Sequence, residues 1–335
     1  MLTGMTEPTE SRRQRAARRA GEFPPAPEPL PLPVLDSHTH LDITVTEAGV
    51  PGVRPGAAAA AASPAPTSRP GVGEPVDGPI DGPIDKPGEN PADDPVAALI
   101  AAAASVGVDR LVQVGVDVPS SRWGAEAARR YPAVLAAVAL HPNDAPRLPD
   151  LDEALREIEA LAGQERVRGI GETGMDFFRT GDEGRAAQER SFRAHIDIAK
   201  RYGKALIIHD RDAHADVLRI LDSEGAPETV VLHCFSGDEE FAVECVRRGF
   251  VLSFAGTVSF GSAGALRAAA RSTPLDQLLV ETDAPYLTPM PHRGRPNASY
   301  LIPLTVRTLA EATGADLDKL CAAISATGDR IFGPW

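Results

Sequence analysis

Residues 33–42 read Pro-Val-Leu-Asp-Ser-His-Thr-His-Leu-Asp, with two histidines separated by one residue shortly after an apolar run. The run Pro33–Asp36 is typical of a buried β-strand. Residues i and i+2 of an extended chain point to the same side, so His38 and His40 can bind one ion together. The segment therefore predicts a strand whose end carries a metal-binding pair, and the rest of the chain decides which sheet contains it.

The chain beyond this segment alternates strand and helix patterns. Apolar, β-branched runs predict eight strands, at Pro33–Asp36, Leu111–Val116, Val134–Leu140, Val167–Gly171, Ala205–Ile208, Thr229–Leu232, Phe250–Phe254 and Gln277–Glu281. Helical patterns occur at Val96–Ser105, Asp152–Ala162, Ala186–Tyr202, Asp212–Leu221, Glu239–Arg248, Tyr300–Thr313 and Asp316–Ala326. Eight strands alternating with helices over about 250 residues predict an α/β fold, the (β/α)8 TIM barrel. A doubly wound sheet is the alternative, but no glycine-rich dinucleotide loop follows the first strand.

Proline-rich stretches divide the 335-residue chain into one domain and two accessory segments. Residues 1–33 and 43–95 hold 18 of the 31 prolines, which oppose both helices and central strands. We interpret residues 1–32 as a disordered N-terminal tail, and residues 33–335 as a single barrel domain interrupted by a low-complexity insertion at 43–95. The arginines of the tail could contact an acidic partner, and the insertion could be a lid or a partner-binding segment. A solvated leader and an inert insertion are the simpler interpretations.

Composition argues against several classes of protein. Three cysteines without a Cys-x-x-Cys pair do not make a disulfide scaffold, so we expect a reducing, cytoplasmic setting. We expect no membrane span and no secretory signal, because no apolar run is long enough and a proline-rich stretch follows the N-terminal arginines. The net charge of −13 argues against binding nucleic acid through bulk positive charge, but it allows an enzyme that meets nucleic acid at its active site. No obligate protein partner is inferred.

Polar residues follow five of the predicted strands, at the ends that a barrel gathers on one face. Four histidines and two carboxylates stand there: His38, His40, Glu172, His209, His233 and Asp283. Imidazole and carboxylate ligands suit divalent ions such as Zn²⁺ or Mn²⁺, and Mg²⁺ is the third ion considered. Six ligands exceed the three that one catalytic zinc needs, so the set predicts two divalent ions, with Glu172 as the candidate bridge. Two dications against two carboxylates leave the site positive, which favours an anionic phosphate substrate.

The remaining histidines are weaker candidates. His195 lies inside a predicted helix and is expected to be a satisfied polar residue. His141 ends the third predicted strand and is a candidate substrate contact. His214, near a helix start, and His292, in a loop, stay unassigned.

The strand-end residues, in their order, resemble the TatD family of metal-dependent nucleases. The matching segments are Asp36–Asp42 (DSHTHLD), Gly171–Asp176 (GETGMD), Ile208–Arg211 (IHDR), His233–Gly237 (HCFSG), Glu281–Leu287 (ETDAPYL) and Arg293–Asn297 (RGRPN). HCFSG together with ETDAPYL is specific to this family, whereas His-x-His alone is shared with the wider group of amidohydrolases. Residues 43–95 depart from the family pattern and interrupt the first strand-to-helix connection.

The resemblance implies an activity and a division of the ligands. His38, His40, Glu172 and Asp283 would bind one metal ion, and Glu172, His209 and His233 would bind the other. The family cleaves phosphodiester bonds, typically as a 3′–5′ exonuclease on DNA, with some members acting on RNA. Single-stranded DNA is therefore the expected substrate, and DNA repair or turnover the expected process.

Roles in catalysis follow from this set. Asp283 is the candidate general base, and Glu172 is a catalytic residue through the metal ions that it would share. Arg211 could bind a phosphate, and Phe235 or Tyr286 could stack on a base. Each of these contacts has a structural alternative, an ion pair for the arginine and a core position for either ring.

Two rival functions remain open at this stage. One is a hydrolase of the same barrel that acts on an ester, lactone or amide bond. The other is a non-enzymatic binding protein that kept the fold. A lost ligand would favour the binding protein, and no ligand of the set is missing.

Overall fold

The computed structural model describes residues 21–48 and 94–335, and within them eight parallel strands form one ring. The strands are β1 (Val34–Thr39), β2 (Val108–Val114), β3 (Val134–Val138), β4 (Val167–Asp176), β5 (Ala205–Arg211), β6 (Val230–Leu232), β7 (Val251–Phe254) and β8 (Leu278–Val280). Each strand pairs in parallel with the next one along the chain. The prediction of a (β/α)8 TIM barrel is confirmed.

Helices follow the strands and cover the outside of the ring. The longer ones are α1 (Pro95–Ala104), α2 (Val118–Arg130), α3 (Leu151–Ala162), α4 (Asp182–Tyr202), α5 (His214–Glu224), α6 (Glu239–Arg247), α7 (Gly264–Ser272), α8 (Ile302–Thr313) and α9 (Leu317–Phe332). Short helical turns lie at Leu41–Ile43, Thr44–Ala48, Ala145–Arg147, Gly256–Ser259, Leu275–Gln277 and Ser299–Leu301. No helix within the described ranges is long and apolar enough to cross a membrane.

Local chemistry explains where several helices begin. An aspartate precedes α1, α2, α3, α6 and α9, and its side chain accepts a backbone N–H of the first turn. Such caps satisfy amide groups that have no partner inside the helix. Several strands between the helices are apolar and buried on both faces, as in β3, β6 and β8.

The ring closes where the segment after β8 meets β1. Asp283 N–H donates to His38 O at 2.9 Å, and His40 N–H donates to Ala284 O at 3.0 Å. Ser37 Oγ donates to Val280 O at 3.0 Å. The closure therefore brings Asp283 beside the two histidines of β1.

β4 is longer than predicted, because it continues past Gly171 to Asp176. Gly171 and Gly174 have φ values of +153° and +141°, and the pairing of β4 with β5 shifts register between Ile170 and Thr173. A Cβ at either glycine would collide with a backbone carbonyl of β5. The two glycines therefore allow β4 to run against β5 through the site.

Part of the N-terminal segment lies against the barrel. Residues 21–32, expected in the disordered tail, contact the barrel: Arg295 donates to Phe23 O, and Tyr300 Oη donates to Pro24 O, each at 2.5 Å. These contacts are made by backbone carbonyls, which carry no sequence signal, and the domain boundary at residue 32 stays a prediction. The other predictions for the tail and for the insertion concern residues 1–20 and 49–93, outside the described residues.

Candidate metal centre

Each of the six predicted ligands lies at the carboxyl end of a strand, and the structure brings them together at one mouth of the barrel. His38 lies in β1 and His40 directly after it. Glu172 and His209 lie in β4 and β5, and His233 and Asp283 follow β6 and β8. Parallel strands deliver their carboxyl ends to the same face, which explains why distant segments meet.

Glu172 lies at the centre of the cluster and faces four histidines. Its Oε1 is 2.6 Å from His209 Nδ1, 2.9 Å from His233 Nε2 and 3.3 Å from His141 Nε2. Its Oε2 is 3.4 Å from His38 Nε2. One buried carboxylate therefore presents one oxygen to three rings and the other oxygen to a fourth.

Asp283 forms the second half of the cluster with the histidines of β1. Its Oδ1 is 3.4 Å from His40 Nε2 and 3.8 Å from His38 Nε2. His38 therefore lies between the two carboxylates. The left-handed backbone of Asp283, with φ of +54°, turns the chain at the end of β8 and places this side chain.

Neighbouring groups orient three of the rings. His40 Nδ1 donates to Val114 O at 2.9 Å, which leaves Nε2 for the cluster. His233 Nδ1 lies 3.1 Å from Glu281 Oε1 and also presents Nε2. His209 is reversed, because Nε2 lies 3.2 Å from Asp176 Oδ2 and Nδ1 faces Glu172. Such partners orient and polarise histidine ligands in metalloproteins.

The cluster fits a divalent cation. His38 is fully buried, and neither of its ring nitrogens has a hydrogen-bond partner among the described residues. Unpaired buried polar atoms are rare in proteins and call for a missing partner. Ligand atoms within 4.8 Å of one another occur in three groups: His38, His233 and Asp283; His38, His40 and Glu172; His141, Glu172 and His209. A metal ion would satisfy His38 and separate the crowded carboxylates and rings.

Both carboxylates are held in the ionised form. Burial alone would raise the pKa of Glu172, but the imidazoles of His233 and His141 lower it well below its usual range. Burial also opposes ionisation of Asp283, and the hydrogen bond with His40 and the charges of His38 and His233 lower its pKa. Ionised carboxylates are the form that binds metal ions.

His141 lies closer to the cluster than a substrate contact would require. Its Nε2 is 3.3 Å from Glu172 Oε1, and its Nδ1 accepts the backbone N–H of Asn143 at 3.1 Å. It can therefore reach a metal ion as well as a substrate. The sequence placed it at the mouth because it follows the third strand, but this spacing did not distinguish the two roles.

A pocket of about 850 Å³ opens from the cluster, and the residues predicted to contact the substrate line it. Arg211 lines it and stacks its guanidinium on Phe178, 4.2 Å from the ring centre. Tyr286 lines it with 47% of its surface exposed. Phe235 also borders the pocket but is only 3% exposed, and its ring packs on Phe241, which matches its alternative as a core residue.

Sequence reasoning missed the residues that support the ligands. Asp176 contacts His209, Asn143 Nδ2 donates to Asp176 Oδ2 at 3.0 Å, and Glu281 contacts His233. Asp176 lies four residues after Glu172 and shares its side of the extended chain. This spacing would have been a signal had β4 been predicted to continue past Gly171.

Comparisons with known proteins agree with this geometry. The family model of TatD related DNase matches residues 84–333. A relative from Mycobacterium tuberculosis, named "Uncharacterized metal-dependent hydrolase TatD", is 47% identical over 240 residues, which are 70% of this chain and 90% of that relative. A relative from Cronobacter sakazakii, named "3'-5' ssDNA/RNA exonuclease TatD", is 36% identical over 241 residues, again 70% of this chain and 90% of the relative.

A solved structure supports the same assignment. YJJV, a TatD homologue from Escherichia coli, aligns with a TM-score of 0.67 and 26% sequence identity over 71% of this chain and 92% of that chain. The family-model match covers more than half of the chain. The chain therefore belongs to the TatD family of metal-dependent hydrolases.

Proposed function

We propose that this protein is a metal-dependent 3′–5′ exonuclease that hydrolyses the phosphodiester bonds of single-stranded nucleic acid, DNA above all. The observation that carries the proposal is the cluster in which Glu172 faces four histidines and opens to a pocket with a free arginine. Arg211 has no carboxylate partner among the described residues and lines this pocket. An unpaired guanidinium beside a cation-binding cluster suits a phosphate. The exonuclease name of the Cronobacter sakazakii relative supports the same substrate class.

The ligands divide into two sets around Glu172. His38, His40, Glu172 and Asp283 would hold one divalent ion, and Glu172, His209 and His233 would hold the other. Bound there, the ions would lower the pKa of a coordinated water and polarise the phosphoryl oxygen.

Two features support Asp283 as the proton acceptor. Its carboxylate is ionised at neutral pH, and it lies at the edge of the cluster where it also lines the pocket. An ionised carboxylate beside the candidate metal cluster supports the role of general base, in which Asp283 would take the proton of the reacting water. Glu172 is buried more deeply and stays a ligand.

Two further side chains would hold the substrate. Arg211 can donate two parallel N–H groups to a phosphate, and its stacking on Phe178 limits the orientations of the guanidinium. Tyr286 presents an exposed ring on the pocket wall, on which a base can stack.

End-labelled oligonucleotides test the proposal. Metal-loaded protein is incubated with single-stranded DNA, single-stranded RNA and duplex DNA in Mg²⁺, Mn²⁺ or Zn²⁺, and in parallel with a panel of esters, lactones and amides. We expect mononucleotides released from the 3′ end of single strands. Hydrolysis of the panel without cleavage of any nucleic acid would favour the rival hydrolase and overturn the proposal.

A variant pair tests the role of Asp283. Asp283→Asn should lose at least about a hundred-fold in kcat, the usual effect of removing a general base. Asp197→Asn is the matched control, because Asp197 lies on the surface of α4 and pairs with Arg201. If Asp283→Asn bound metal normally and kept full hydrolysis, the role in proton transfer would be wrong.

A further inference from the structure

His214 lines the pocket but belongs neither to the six candidate ligands nor to the predicted substrate contacts. It is the first residue of α5 and lines the same pocket as Arg211. Its Nδ1 lies 2.7 Å from Asp210 Oδ2, and its ring stacks on Phe241 with centroids 4.1 Å apart and planes 14° apart. A hydrogen bond and a stacking contact therefore hold one ring in one orientation.

Asp210 is committed to this arrangement. Its side chain is 5% exposed, against 35% for His214. Its other oxygen, Oδ1, accepts the backbone N–H of Ala213 at 3.3 Å at the start of α5. Both oxygens of the Asp210 carboxylate therefore have hydrogen-bond partners, and Oδ2 fixes the imidazole of His214 through its Nδ1.

The opposite nitrogen of the ring is free. Within the described ranges, Nε2 of His214 has no hydrogen-bond partner, and the ring has no hydrogen bond, ion pair or ring contact with any of the six candidate ligands. The hydrogen bond with Asp210 raises the pKa of His214 against the opposing effect of burial, and the charges of Asp238 and Asp212 add to it. Asp210 therefore favours the protonated ring, whose Nε2–H would be a donor in the pocket, apart from the cluster.

If the substrate had only one phosphate, and this phosphate were bound at the cluster, Nε2 of His214 would have no group to bind. A nucleic acid has further backbone phosphates, and charged N–H donors bind phosphate oxygens well. We propose that His214, held by Asp210, donates through Nε2 to a backbone phosphate other than the one being cleaved. This inference rests on the proposed nuclease function, and it makes the oligonucleotide, not a lone phosphodiester, the preferred substrate.

His214→Asn provides the direct test. The asparagine amide can occupy the place of Nδ1 and keep the hydrogen bond with Asp210, while the donor at Nε2 is lost. We expect KM for an eight-residue oligothymidylate to rise about tenfold with kcat within about twofold, as for loss of one charge-assisted hydrogen bond. Bis(p-nitrophenyl) phosphate has one phosphorus, so its kinetics should not change. His292→Asn, a histidine outside the pocket, is the matched control.

Two readouts separate a phosphate contact from a structural role. The first is the salt dependence of oligothymidylate binding, whose slope in log Kd against log salt should fall by about 0.7 when one phosphate contact is lost. The second is Asp210→Asn, which removes the carboxylate whose hydrogen bond raises the pKa of His214. Because the pKa of the ring falls when this partner is removed, the rise in KM should be larger at pH 8 than at pH 6.

The outcomes distinguish this inference from the proposed function. An unchanged KM and salt slope in His214→Asn, or an equal loss on both substrates, would refute the phosphate contact even if the wild type is a nuclease. Binding of fluorescein-labelled oligothymidylate in Ca²⁺ is measured alongside. If the wild type cleaves neither substrate but His214→Asn still weakens this binding about tenfold, the contact stands and the nuclease function falls. If the wild type does not bind the oligonucleotide, the contact falls as well.

Discussion

Lowering the pH should destabilise the protein through His195, a histidine inside α4 that is fully buried. Its Nδ1 donates to Ser191 O at 2.7 Å, and its Nε2 accepts the N–H of Leu140 at 3.1 Å. Both nitrogens are satisfied only in the neutral ring, because a proton on Nε2 would displace the bond from Leu140. The expectation of a satisfied polar residue at this position is therefore confirmed.

The size of the effect follows from the pKa difference between the folded and unfolded states. Burial lowers the pKa of His195 to about 4, against about 6.5 in an unfolded chain. A depressed pKa in the folded state contributes its full stability above pH 6.5, and this stability is lost as the pH falls towards 4. At pH 5, protonation of His195 raises the ratio of unfolded to folded protein by a factor of about 30. The free energy of unfolding is therefore about 2 kcal/mol lower. Between pH 8 and pH 7 the change is only about 0.1 kcal/mol.

Urea denaturation in EDTA measures this difference without interference from bound metal. His195→Gln removes the titrating group, so the loss of unfolding free energy between pH 8 and pH 5 should be about 2 kcal/mol smaller in the variant than in the wild type. The step from pH 8 to pH 7, where the ring is neutral in both states, is the internal control. Equal losses in the two proteins would refute the reasoning, as would an imidazole pKa near 6.5 in a nuclear magnetic resonance titration of the folded wild type.

Three further outcomes test the centre and its scaffold. Glu281→Gln should lower metal affinity by about 10- to 100-fold in calorimetry, because it weakens the partner of a histidine ligand, whereas Glu311→Gln on α8 should not. Gly328→Ala should cost about 1–3 kcal/mol in urea denaturation, since its Cβ would lie 2.5 Å from the side chain of Leu35, and Gly264→Ala, with open space around it, should not. Adding a divalent ion to chelated protein at about 100 times its dissociation constant should stabilise the fold by about 2.7 kcal/mol, visible as a higher thermal midpoint; an unchanged midpoint would contradict a site in the folded state.

The barrel could be predicted from the sequence because apolar, β-branched runs mark its strands and the ligands stand at the ends of these runs. His233 is the first residue after β6, and Asp283 is the third residue after β8. Two helices were missed. α2 is poor in apolar residues, and its N-terminal signal is Asp117 before Val118 and Pro119, a cap that periodicity alone does not detect. α7 is rich in alanine and arginine and has no capping side chain.

The arrangement around the ligands was harder to predict because it depends on contacts between strands that are distant in the sequence. Asp176 was missed because a glycine in a strand pattern suggests an end, whereas Gly171 and Gly174 here allow β4 to continue against β5. The pairing of His214 with Asp210 spans a loop and the start of a helix. The stacking of His214 on Phe241 joins two helices that no sequence pattern connects.

β1 and the residue after it carry two of the six ligands, yet both precede the stretch that matches the family model, which begins at residue 84. A fragment starting there would lose His38 and His40 and would leave β2 and β8 each with an exposed edge. Exposed edges pair with other chains, so the fragment should aggregate. A separate peptide of residues 21–48 would supply the missing strand, as strand addition does in other proteins. The enzyme is therefore suited to reconstitution from two pieces, with recovered metal binding as the sign that the pieces have joined.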